Sequence, residues 1–149
     1  MRDFFDSVGS VPANRRYGRI ISIAVLEHMT SLPEEVAEAA LRLEPNGVFQ
    51  AGIPSERGLL WWIGWRFSTG ISYYLSTRLD YGVIMRHEHV NNGPEILAVV
   101  RRFFHDVRPK YFPCRGNHFS SYRYLEARRP NYDLCRKFFG LAAKEHELA

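Results

Sequence analysis

After a polar lead-in the chain turns almost continuously apolar at residues 19–26, "RIISIAVL". Ile20, Ile21, Ile23, Ala24, Val25 and Leu26 show no polar alternation. The pattern predicts a strand with neither face meant for water, as in a parallel sheet covered by helices. Ligands bind such sheets beyond the carboxyl ends of the strands, which makes the next two residues, Glu27 and His28, the first candidates for a site. The following run, "SLPEEVAEAALRL", has the helical period instead: Val36, Ala40 and Leu43 recur on one side. Ser31 and Glu34 stand in capping-box relation, Pro33 falls in the first turn, and Glu34, Glu35 and Glu38 lie near the positive end of the helix. "EPNG" at 44–47 stops it, since Pro45 cannot continue a helix and Asn46-Gly47 accept positive φ. "VFQAGI" at 48–53 is a second short strand, closed by Pro54. Strand, helix, turn and strand predict a right-handed βαβ unit.

The pattern changes over residues 58–82, "GLLWWIGWRFSTGISYYLSTRLDYG", with three Trp and three Tyr. Its longest uncharged run, residues 67–77, is far short of a bilayer span, so a lid-like or interfacial helical segment is expected. "NNGPEILAVVRRFF" then repeats the capping relation with Asn92 and Glu95 and puts Ile96, Val100 and Phe103 on one helical face, Leu97 and Phe104 beside them. Residues 107–112 and 119–127 read as two strands joined by a turn at 114–116, an antiparallel pair whose first member Pro109 marks as an edge. From Pro130 onward the pattern is weakly helical. The organisation expected is a lead-in over 1–16, one domain over 17–129 with an aromatic insert at 58–92, and a tail over 130–149.

Composition narrows the class. The 149 residues are 46% hydrophobic and 24% charged, ordinary values for one globular domain. Cys114 and Cys135 form no CxxC pair, which argues against a disulfide or zinc scaffold and makes a reducing cytoplasm the default. The first sixteen residues lack the apolar core of a signal peptide. The net charge is +4, yet residues 101–137 hold ten Lys/Arg against three Asp/Glu. Arg101, Arg102, Arg108, Lys110, Arg115, Arg123, Arg128 and Arg129, interleaved with Tyr111, Tyr122 and Tyr124, suit a single-stranded nucleic acid. No nucleic-acid module signature accompanies them, so a solvated face is the favoured reading.

"RIISIAVLEHM", "EVAEAALRLEPNGVFQAGIPSE" and "HEHVNNGPEILAVVRRFFHDV", in this order and spacing, resemble the C-terminal half of a class I S-adenosylmethionine-dependent methyltransferase. Members of that family commonly show a strand ending in Leu-Glu-His, a helix, a Leu-Lys-Pro-Gly-Gly turn, and a strand ending near Pro. A His-containing segment then leads into the next helix. Two departures are small: Gly18 stands where an Asp often begins the fourth strand, and Glu44 and Asn46 replace the Lys and first Gly of the turn. A third is large. The family's glycine-rich cofactor loop has no counterpart among the eleven glycines, which include no GxG, and residues 1–16 cannot hold three strands with their helices. The resemblance therefore implies an α/β, Rossmann-like half-sheet, the fourth to seventh strands, with parallel strands, a C-terminal antiparallel hairpin and helices on the faces. It implies a methyltransferase whose S-adenosylmethionine site is incomplete in this sequence.

The same resemblance assigns candidate roles. Ala24, Val25 and Leu26, at the strand's end, would border the cofactor, and Glu27 and His28 would face the methionine part and the acceptor. Methyl transfer is an in-line displacement in which protein groups mainly position the partners, and His28 has a suitable reference pKa for a base. Ser55 and Glu56, after the second strand, would edge the same crevice. Trp61 and Trp65, with Trp62, Tyr73 and Tyr74, would line a pocket for an apolar or lipid-linked small-molecule acceptor, or rest on a membrane surface. His87 and His89 are too few for a metal site, and the resemblance makes His89 part of the lead-in to a helix, on the acceptor side. With no first strand beside it, the edge between Ile20 and Val25 is expected to pair with a second copy or a partner chain. The competing functions are a non-catalytic interaction module and the basic nucleic-acid binder.

Overall fold

The computed structural model describes residues 10–12, 14–54, 75–76, 78, 90–114 and 120–147, with side chains described through residue 140. Strands and helices follow one another along these residues. They are β1 (Tyr17–Ile23), α1 (Leu32–Arg42), β2 (Leu43–Pro54), α2 (Gly93–Phe103), β3 (Phe104–Pro113), β4 (Ser120–Pro130) and α3 (Tyr132–Glu147). A short 3-10 turn, Leu26–His28, follows β1. The sheet order is β1-β2-β4-β3, with β1 parallel to β2 and β4 antiparallel to both of its neighbours. The parallel unit and the antiparallel hairpin of the α/β half-sheet are both present, and Pro109 does lie on an edge strand.

Register shows how the sheet is loaded. Ile20 sits beside Phe49, Phe49 beside Ala127 and Ala127 beside Val107; the next row runs from Ser22 through Ala51 and Leu125 to Pro109. Side chains alternate across a strand, so these rows share one face. That face joins Val36, Ala37 and Ala40 of α1, Ile96, Val100 and Phe103 of α2, and Cys135 of α3 in a single core. Phe49, Phe103, Ile53, Ile96 and Leu125 are fully buried there, each worth about 1.5–3 kcal/mol of transfer free energy.

The opposite face is different in kind. Its rows run from Val48 through Arg128 to Asp106, from Ile21 through Gln50 and Glu126 to Arg108, and from Ile23 through Gly52 and Tyr124 to Lys110. Arg108 pairs with Asp106 and Arg128 with Glu126, each at 2.8 Å, and Gln50 Nε2 donates to Glu126. Hydrogen bonds from Arg108 and Arg128 hold these two carboxyls below their ordinary range. Beside this ladder Ile21 and Ile23 are 56% and 64% exposed. The expectation that neither face of this strand meets water is therefore corrected: every described helix that packs on the sheet covers the other side.

Both helix-to-strand junctions lack a loop. Leu43 ends α1 in an extended conformation and begins β2, and Phe104 does the same between α2 and β3. Across the second junction Phe103 turns edge-on to Phe138 of α3 at 5.4 Å, and Phe104 stacks on Phe49 of β2 at 5.7 Å. At the first, the ladder passes from Tyr17–Leu43 to Arg19–Val48, so "EPNG" forms an excursion at the start of β2. Gly47 is needed there for closeness, not for positive φ: a Cβ would lie 3.0 Å from the Glu44 carbonyl and 3.1 Å from that of Tyr17. The Asn92–Glu95 capping box is fully formed, at 2.9 and 3.0 Å. Ser31 caps α1 without any side-chain hydrogen bond, so the box expected with Glu34 does not form. Glu38 instead receives Arg42 Nε at 2.9 Å, and Arg42 Nη1 donates to the Pro12 carbonyl at 2.6 Å. The weak pattern after Pro130 becomes α3, anchored by Tyr132 Oη donating to the Leu43 carbonyl at 2.8 Å.

Burial within this core pushes the Cys135 thiol up to about 11, whereas Cys114 is exposed. The thiolate is the reactive species. A disulfide-exchange reagent at about pH 8 is therefore expected to label Cys114 in the folded protein and Cys135 only after unfolding. Mass mapping of the modified peptides checks this; prompt labelling of Cys135 would contradict the α3 packing.

Candidate functional site

The site begins where β1 ends. The strand stops at Ile23, three residues before the apolar run does, because Ala24 adopts φ 51°. A non-glycine residue pays about 1–2 kcal/mol for the left-handed region, and the backbone reversal it produces swings the chain into the Leu26–His28 turn. The Ala24 N–H still donates to the Gly52 carbonyl at 2.9 Å, so the reversal is pinned against β2. Leu26 drops into the core, Val25 is 39% exposed, and Ala24 faces solvent. Of the three residues expected to border the cofactor, Leu26 is thus committed to packing and only Ala24 and Val25 line open space.

The turn separates the two polar candidates. Glu27 is 3% exposed, and neither carboxylate oxygen has a hydrogen-bond partner among the described residues. His28 lies on the outside and its backbone N–H closes the turn on the Val25 carbonyl at 3.0 Å. A buried carboxyl without a donor costs free energy that nothing in the described surroundings returns. The residue is held in place by its backbone instead, since its carbonyl accepts the Asn91 N–H at 3.1 Å.

Asn91 is the residue that sequence reasoning missed. Its side-chain amide donates to the Leu26 carbonyl at 3.0 Å and also to the Met29 carbonyl. It therefore clamps both ends of the 3-10 turn to the start of α2, leaving Asn92 to cap the helix. The second Asn of "NNGPE" has an evident capping role, and the first, left over, was the available signal. Arg123 is a second omission. It was placed in a basic surface but is 6% exposed, with its guanidinium 5.4 Å from the Tyr111 ring centre and packed on Gly93, where any Cβ would collide with it. Glu27, Asn91, Gly93, Arg123 and the end of β2 thus gather at the carboxyl end of the parallel pair, where open α/β sheets bind ligands.

Ser55, Glu56, Trp61, Trp65 and His89 lie outside the described residues, as do Trp62, Tyr73, Tyr74 and His87. Among the described residues, no group of three His, Cys, Asp or Glu side chains could hold a metal, and no helix is long and apolar enough to cross a membrane.

No family model matches the chain, and no curated protein matches it. Among solved structures, it is similar to an O-methyltransferase family protein from Burkholderia thailandensis, with 15% identity and a TM-score of 0.47 over 78% of this chain. The match takes in 31% of that protein, so this chain spans about a third of its length. A likeness of this size carries no functional weight.

The donor-free carboxyl yields a direct expectation. Glu27→Met replaces it with an apolar side chain of similar length, and should raise the unfolding free energy by about 1–3 kcal/mol. Urea titration of the two proteins measures the difference. A loss of stability would mean that the native carboxyl has a donor.

Proposed function

We propose that this chain is the second half of an S-adenosylmethionine-dependent methyltransferase domain, carrying the acceptor side of the site and only part of the cofactor side. The observation that carries the reading is Glu27: a buried carboxyl with no donor among the described residues, in the turn just beyond the carboxyl end of β1, whose Leu-Glu-His sequence resembles the family's motif. A partnerless carboxyl is matched by a cationic ligand, and the methionine end of S-adenosylmethionine carries both an ammonium and a sulfonium. The group fits on this count. Against a complete site stands the absence of any GxG in the 149 residues.

In this reading S-adenosylmethionine, when bound, supplies an electrophilic methyl group. Glu27 holds the cationic end, and Asn91 fixes the turn that presents it. His28, exposed at the crevice, takes the proton that a hydroxyl or amine acceptor gives up as its new bond to carbon forms. Trp61 and Trp65 supply apolar surface for that acceptor, whose class is an apolar or lipid-linked small molecule. The in-line geometry places most of the catalytic burden on positioning rather than on strong acid or base chemistry.

A cofactor site lacking the family's glycine-rich loop should bind weakly. Titration of the 149-residue protein with S-adenosylmethionine, followed by amide NMR, should show dissociation on the order of millimolar. The shifts should be confined to residues 24–28 and 91 and be lost in Glu27→Gln. Micromolar binding by calorimetry would contradict the incomplete site. Saturating additions that leave residues 24–28 unmoved would contradict the methyltransferase reading itself.

A further inference from the structure

β1 ends the sheet, and among the described residues no strand lies along its outer side. Which of its peptide groups face outward follows from one bond. The Ala24 N–H donates to Gly52 of β2, and in an extended strand the N–H and C=O of one residue point the same way while successive residues alternate. Ile20, Ser22 and Ala24 therefore address β2, and Arg19, Ile21 and Ile23 direct their backbone groups to the open edge. Those three side chains also lie on the face that no described helix covers, where Ile21 and Ile23 are 56% and 64% exposed. The bulge at the start of β1 and the Arg19 charge guard only its first rungs: β1 has no Pro and no Lys, and no charged residue stands among positions 20–23.

We infer that the occupant of this edge is a second copy of the chain, paired antiparallel across a two-fold axis at Ile21. The strand's own charge pattern selects both the occupant and the register. β1 carries one charge, Arg19, and its pairing with β2 is regular only from Arg19 to Ile23, a run whose midpoint is Ile21. Centred there, Ile21 exchanges both hydrogen bonds with Ile21 of the other copy, and Arg19 exchanges both with Ile23 on either side. Every outward N–H and C=O of the regular run is then satisfied. Each Arg19 stem lies over an exposed Ile23, covering it while the guanidinium reaches water. The two Arg19 residues are offset by four positions, about 13 Å at the strand rise, beyond a Debye length of about 8 Å in physiological salt. Centring on Ile20 instead halves that offset to about 7 Å, inside the screening length, and puts like charges on neighbouring diagonals. The product is a continuous eight-stranded sheet, within the size that open sheets reach. It does not depend on the methyltransferase reading.

Because Ile21 meets its own copy on the axis, one position tests both occupant and register. In the full chain, association measured by sedimentation should fall at least about tenfold in Ile21→Lys and in Ile21→Glu, since each places like charges directly opposite. An equimolar mixture of the two variants should reassociate as a one-to-one pair. Circular dichroism of each variant confirms the fold, which an exposed position should tolerate. In the unmodified protein the amides of Ser22 and Ala24 should be protected from exchange at every concentration. Those of Ile21 and Ile23 should become protected only as the concentration rises. A monomer throughout, association indifferent to Ile21→Lys, or a mixture of folded variants that stays apart would each overturn the proposal.

Discussion

Phe49, Ala51 and Ile53 of β2 point to one side of the sheet, and the burial of that row against α1 and α2 is the interaction on which the other elements depend. Each neighbouring strand adds to the row at fixed register: Ile20 and Ser22 from β1, Ala127 and Leu125 from β4. Small and large side chains alternate along it: Ala51 shares one core with Val36, Ala37 and Ala40, while Phe49 stacks on Phe104. Both helices run into their strands without a loop. The packing of each helix therefore fixes the start of the next strand, and a shift in either would displace the register beside it. One-sided loading has a consequence for the opposite face. Its ion pairs join residues two apart on the same strand, Arg108 with Asp106 and Arg128 with Glu126, and exposed pairs are worth little, so stability resides on the helix side.

The candidate site inherits its geometry from the same arrangement. Ala24 can reverse the chain because its N–H is already bonded to β2, and Leu26 keeps the turn down by entering the core. Between these two anchors Glu27 is carried inward with no donor for its carboxyl among the described residues. Local cost at a site, compensated by packing nearby, is how functional positions commonly differ from the rest of a fold. Asn91 supplies part of that compensation, with its backbone and side-chain amides joining the turn to the start of α2.

Elements whose burial pattern is local were legible in the sequence. The helical faces of α1 and α2, the Asn92 cap, the parallel unit and the edge position of the Pro109 strand all follow from periodicity or from the absence of an N–H. What was not legible depends on neighbours. The apolar run at 19–26 reads as a strand buried on both sides, but hydrophobicity cannot tell a covered face from an open edge, and it cannot locate the turn at Ala24, a residue with no special preference for positive φ. Ser31 has the right spacing for a capping box and does not form one. Arg123 reads as one more surface cation in a basic segment, and only its place in β4, opposite Ile53 and next to Tyr111, puts it inside. Glu27 and His28 were singled out by motif position, yet their contrast, one buried and one exposed, arises from the turn.

The central claim is that the sheet is loaded on one face. Two isoleucines on adjacent strands isolate it: Ile53 on the helix side is 1% exposed and Ile23 on the other is 64% exposed. Urea unfolding of Ile53→Ala and Ile23→Ala compares the same deletion in the two settings. The account predicts a loss of about 2–5 kcal/mol for Ile53→Ala and less than about 1 kcal/mol for Ile23→Ala. Equal losses at the two positions would show that the outer face is covered as well, and would contradict the account.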